Sequence, residues 1–128
     1  MEKQLIFNSD LHFEHNQWRS ELDFWEDELK SFKNRLEELV NRWTDKEVLA
    51  QLEHFQNSFI RHGEIIDILQ HDINAHETNM SSLDAKGENA LNKDLVKTHL
   101  EFRNRMETHR HIYANLKKDF FKFLSKYM

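Results

Sequence analysis

Five of the nine histidines, His15, His62, His76, His99 and His109, occupy positions that the sequence otherwise reserves for hydrophobic side chains. A neutral imidazole offers a lone pair and is the commonest side-chain ligand of transition metals. His12 stands three residues before His15, on a neighbouring position of the same helical turn, and Glu77 directly follows His76. Brought together, His12, His15, His76 and His99, with Glu77 as a further ligand, make a site for a divalent transition metal. Imidazole suits Cu, Zn, Ni and Fe, while carboxylates admit Mn or a dinuclear centre. His62 and His109, with Glu28 beside them, form a second and poorer set. A buried imidazole without a partner costs about 1–3 kcal/mol, so several at one level of a dry core require an explanation, and a bound ion supplies one.

The elements that must position these residues follow from spacing. Alternating steps of four and three trace one seam through Leu11, His15, Trp18, Leu22, Trp25, Leu29, Phe32, Leu36, Leu39 and Trp43. A second runs Val48, Leu52, Phe55, Phe59, His62, Ile66, Leu69, Ile73, His76, Met80. The third runs Leu95, His99, Phe102, Met106, His109, Tyr113, Leu116, Phe120, Phe123, Tyr127. None of these thirty positions holds an acid, a lysine or an arginine, although 32% of the chain is charged. Pro is absent and Gly occurs only twice, so helices have few forced stops. An all-α fold is predicted, a single domain with helices over about 10–43, 45–80 and 90–127.

Ser9 or Asp10 is expected to cap the first helix, and Thr44-Asp-Lys-Glu47 reads as a capping box opening the second. So short a connection forces the first two helices antiparallel. Residues 81–89, rich in Ser, Gly and Asn, are expected to be a loop. Sustained heptads then imply an up-down-up bundle of three long helices with left-handed packing. In architecture this resembles a spectrin-type repeat, which has about this length and carries Trp in its first helix, as Trp18 and Trp25 stand here.

Antiparallel packing provides a ruler for levels. With the turn at 43–45 it places 12 level with 76 and 15 with 73; if the helices are equal in length and the third ends level with that turn, 73 lies level with 99. His12, His15, His76 and His99 therefore converge within about one turn, bordered by Glu77, Glu14 and Asp72. Some 15–20 Å away along the rise, His62 meets His109 beside Trp25, Glu26, Glu28 and Tyr113. His54, His71 and His111 face outward. Glu14, Glu21 and Glu28 form a heptad-spaced stripe that is expected to pair with Arg103, Arg105 and Arg110.

Composition removes several classes of function. The net charge is −5 with charges interspersed, which lacks the basic footprint of a nucleic-acid binder. No cysteine is present, which removes thiolate catalysis and Cys-based zinc sites. The short Leu5–Phe7 apolar run is far from an export signal, and no stretch of about 18 apolar residues occurs, so no membrane partner is expected and the location is read as cytoplasmic. Flanking Val40, Leu49, Ile65, Ile68, Ile112, Phe121 and Leu124 widen the apolar faces enough for a homodimer.

Known metal motifs are missing. No Glu is followed by His three residues later, as di-metal ferritin-like bundles require, and His76-Glu77 ends at Met80 where a zinc protease motif needs its second His. The expectation is a small metal-binding bundle, not primarily an enzyme; were it one, its chemistry would be metal-dependent redox or hydrolysis. The alternative is a metal-free scaffold whose core histidines are structural or sense pH.

Overall fold

Heptad-spaced apolar residues with few breakers between them form three helices in the computed structural model: α1 (Asn8–Arg42), α2 (Lys46–Ala85) and α3 (Lys93–Tyr127). The structure describes residues 8–85 and 93–127; the Leu5–Phe7 run and the expected start of the third helix at Ala90 lie outside the described residues. Every seam-two position is buried. In the other seams only Trp43, Leu95, Leu116 and Tyr127 are half-buried, and no described residue outside the seams is buried. A continuous apolar cluster runs from Trp18 to Phe123, centred on Phe32, Phe55, Phe59 and Phe120. The Phe59 and Phe120 rings meet edge-to-face at 4.9 Å, an arrangement worth about 0.5–1.5 kcal/mol beyond the burial itself.

Polar contacts fix the relative directions. Those between α1 and α3 join residues 84, 85 or 89 positions apart all along the bundle, from Glu14–His99 through Glu21–Arg110 to Trp43–Tyr127, so the two helices run parallel. α2 runs against both, its numbers falling as those of its partners rise, from His15–Glu77 to Asp23–Gln70 along α1 and from Asp72–Arg105 to His62–His109 along α3. No helix among the described residues is long and apolar enough to cross a membrane.

Four local expectations are corrected. α1 begins at Asn8, so Ser9 and Asp10 stand inside its first turn instead of capping it. The cap of α2 is Asp45, not Thr44: its carboxylate accepts the amides of Glu47 at 2.9 Å and Val48 at 3.2 Å. The helix begins at Lys46, so the residue one before it holds the cap, and its negative charge suits the positive end of the helix dipole. α2 does not stop at Met80 but continues to Ala85. Buried Met80 anchors the turn before the serines, and no Gly or Pro stands between it and Ala85. Finally, His15 reaches Glu77 rather than the level of Ile73. Helical side chains lean toward their own N-terminus, and on antiparallel helices the two leans oppose, which carries the contact about one turn beyond the backbone level.

Gly63 sits mid-helix in α2, and a Cβ built there meets nothing within 4 Å. Gly63→Ala is expected to stabilise the fold by about 1 kcal/mol through helix propensity and a less free unfolded chain. A denaturant midpoint that stays put or falls would contradict this.

Candidate metal centre

The first turns of α1, the last turns of α2 and the first turns of α3 bring four histidines together. The helix ends pack as they do because Leu11, Ile73, Met80 and Phe102 bury on their seams around them. His15, His99 and His76 are 0%, 1% and 4% exposed, which places three imidazoles inside the core. Their ring centroids lie 4.9 Å apart for His15–His99, 5.0 Å for His15–His76 and 5.9 Å for His76–His99. Each of these residues offers a ring nitrogen, and the three donor atoms fall within 4.8 Å of one another. Trp18 stacks on His99 at 4.8 Å, and Phe102 lies 5.4 Å from His76, so apolar rings close the site on two sides.

Carboxylates stand behind two of these rings. His15 Nδ1 donates to Glu77 Oε2, and the half-exposed His12 donates through its own Nδ1 to Glu77 Oε1. His99 Nε2 donates to Glu14 Oε1, and Arg103 grips the same carboxylate with two hydrogen bonds, at 2.8 and 3.1 Å. Between the two rings, His15 Nε2 and His99 Nδ1 face each other at 3.1 Å. His76 Nε2 is buried and has no partner among the described residues.

The four nitrogens of His15 and His99 need three N–H groups, one toward each carboxylate and one between the rings, whereas two neutral imidazoles bring two. The pair therefore needs one positive charge more than two neutral rings carry. Neither carboxyl supplies the missing proton. Burial works to raise Glu14, but Arg103 and His99 more than reverse it; burial likewise raises Glu77, and His15 and His12 overcome it, so both sit below the ordinary range. The rings resist that charge as well. Burial lowers His15 against the pull of Glu77 and lowers His99 against the pull of Glu14. Burial, followed by the neighbouring His15 and His99, pushes His76 down to about 4, which leaves its lone pair free at neutral pH.

The residues named from the sequence thus separate into two ranks. His15, His76 and His99 point donor atoms at a common space, while His12 and Glu77 form a second group with His15 on the more open side. Asp72 does not join them, because Arg105 holds it at 3.0 Å. Glu14 pairs with Arg103 as the stripe predicts, but its direct contact with His99 does not follow from the sequence reading. The four-residue step from His99 to Arg103 on one helical face, opposite Glu14, was the available signal.

The second layer is simpler. The rings of His62 and His109 lie 4.9 Å apart, 6% and 4% exposed, flanked by Trp25 and Tyr113. His62 Nδ1 and His109 Nε2 have no partner among the described residues. Glu28 is otherwise engaged, accepting Tyr113 O–H at 2.7 Å and Lys117 at 2.8 Å. Burial and then Arg61 lower His62, and burial and then His62 push His109 down to about 4. Along the flank Glu21 takes Arg110 bidentately, as the stripe predicted, whereas Arg105 turns to Asp72 on α2.

Compared with known proteins, the chain matches no family description, no curated sequence and no solved structure. Any function must therefore be argued from these side chains alone.

Proposed function

We propose that the chain is a transition-metal-binding helical bundle, its ion held by His15, His76 and His99 in the core and supported by Glu77, His12, Glu14 and Arg103. The observation that carries this reading is the proton count. With a cation between His15 Nε2, His99 Nδ1 and His76 Nε2, both carboxylate-facing nitrogens keep their protons, all three rings are neutral, and the unpartnered nitrogen of His76 gains a bond. A carboxylate behind a ligating histidine is the usual means of fixing its tautomer and orientation, and two of the three rings have one. Ring nitrogens dominate the donor set, which favours Cu(II) and Zn(II) over Mn(II) and Fe(II). Three imidazoles leave one position of a tetrahedral ion to water, and a zinc ion so held acidifies that water. Trp18 and Phe102 cover the rings, and the side toward solvent carries the partly exposed His12, Glu77 and Glu14, so the arrangement suits holding or sensing an ion better than turning over a substrate.

The test is zinc and copper titration of untagged protein after chelator treatment, read by elemental analysis and melting temperature. A single equivalent that raises the melting temperature is expected, and Glu14→Ala should weaken it roughly 10–100-fold while leaving the fold intact. Protein indifferent to every divalent ion would end the metal reading. The same count supports a second reading, in which the extra charge is a buried proton and the bundle end is a pH-sensitive scaffold. It predicts a melting temperature that depends on pH near neutrality and on no metal.

A further inference from the structure

The lower histidine layer is unused by the proposed centre, and its chemistry differs. Two imidazoles from α2 and α3 stand side by side, more than nine-tenths buried, each with a ring nitrogen that no described residue satisfies. Among the described residues the nearby acids are bonded elsewhere, Glu28 to Tyr113 and Lys117 and Glu21 to Arg110. A divalent ion would bring two charges into a dry space with two neutral donors, and the desolvation would go uncompensated. A soft monovalent ion carries half the charge and accepts two donors. Met106, fully buried three residues before His109 on the same face of α3, puts a thioether one turn away, and the Trp25 ring lies 5.1 Å from that of His109. Both groups are soft and polarisable, the kind that selects Cu(I) over Zn(II) or Mg(II).

We propose that His62 and His109 form a second site, specific for a monovalent coinage-metal ion, Cu(I) in the reduced state. His109 also borders a shallow groove with Ile65, Leu69, Thr108 and Ile112, which gives an ion a short way in from the surface. The site is independent of the upper centre, lying on different turns of α2 and α3 with Ile66, Leu69, Ile73 and Phe102 packed between.

The experiment uses Ag(I), a redox-inert substitute for Cu(I), in anaerobic titrations read by mass spectrometry and histidine proton NMR. The full chain carrying His15→Leu, His76→Leu and His99→Leu should still bind a single Ag(I), with the His62 and His109 ring signals shifting. Adding His62→Leu or His109→Leu should abolish that equivalent, and leucine, close to histidine in volume, keeps the core filled. Zn(II) should not bind the lower layer at any ratio. Silver binding that survives both leucine substitutions, a chain that takes up no Ag(I), or Zn(II) displacing Ag(I) there would overturn the assignment, whatever the upper centre does.

Discussion

In chelator, the chain carrying His15→Leu, His76→Leu and His99→Leu will melt above the native chain, and with saturating zinc the order will reverse. The first half follows from desolvation. Three imidazoles that are 0–4% exposed are replaced by apolar groups of similar volume, which removes a buried charge requirement and the orphaned His76 nitrogen. Replacing buried polar or ionic clusters by packed hydrophobic side chains is often neutral or stabilising by about 1–4 kcal/mol. Glu14 and Glu77 lose partners in the exchange, but both are partly open to water and can hydrate. The second half is mass action. An ion that binds only the folded chain contributes about 4 kcal/mol at a thousand times its dissociation constant, roughly 10–20 °C for a chain of this size, and the leucine variant gains none of it. Differential scanning calorimetry with and without zinc reads both halves. Identical zinc responses in the two proteins would remove the metal from the account of this cluster.

The native chain without metal will lose stability steeply between about pH 6.5 and 4. His76 and His109 each titrate at about 4 in the folded chain, held down first by burial. In the unfolded chain they regain about 6.5. Between those values the unfolded state binds more protons, so stability is fully present above the unfolded pKa and falls as the pH is lowered. Two such groups give a slope of about 2.7 kcal/mol per pH unit, or about 4 kcal/mol lost by pH 5, a large share of the 5–15 kcal/mol typical of a domain. His15 and His99, also lowered mainly by burial, act in the same direction. Urea midpoints measured across this range in chelator should show the slope, and His76→Leu with His109→Leu should flatten most of it. A flat native profile would mean that these rings are hydrated in solution.

The seam positions needed no coordinates, because a steady four-three spacing of apolar residues has only one way to hide from water, and every buried described residue lies on a seam. That His15 and His76 would share a depth also followed, since rise per residue and a three-residue connection fix levels to about a turn, whereas the depth of His99 rested on helices of equal length. What spacing could not resolve was anything finer than a turn. The lean of His15 toward Glu77, the cap at Asp45 and the extra turn of α2 to Ala85 depend on side-chain direction and on single hydrogen bonds.

The division of roles lay further out of reach. Sequence groups His12, His15, His76 and His99 as ligands, with Glu77 as a further one, for each has a donor in or beside the seam. Only the packed helices decide that Glu14 braces His99, that Glu77 spans His15 and His12, and that Asp72 is lost to Arg105. Periodicity reports which face of a helix is dry, a one-dimensional property of each segment. Which nitrogen meets which oxygen across three helices is set by rotation about each axis and by the competition among neighbouring charges, and these exist only once the helices are in contact.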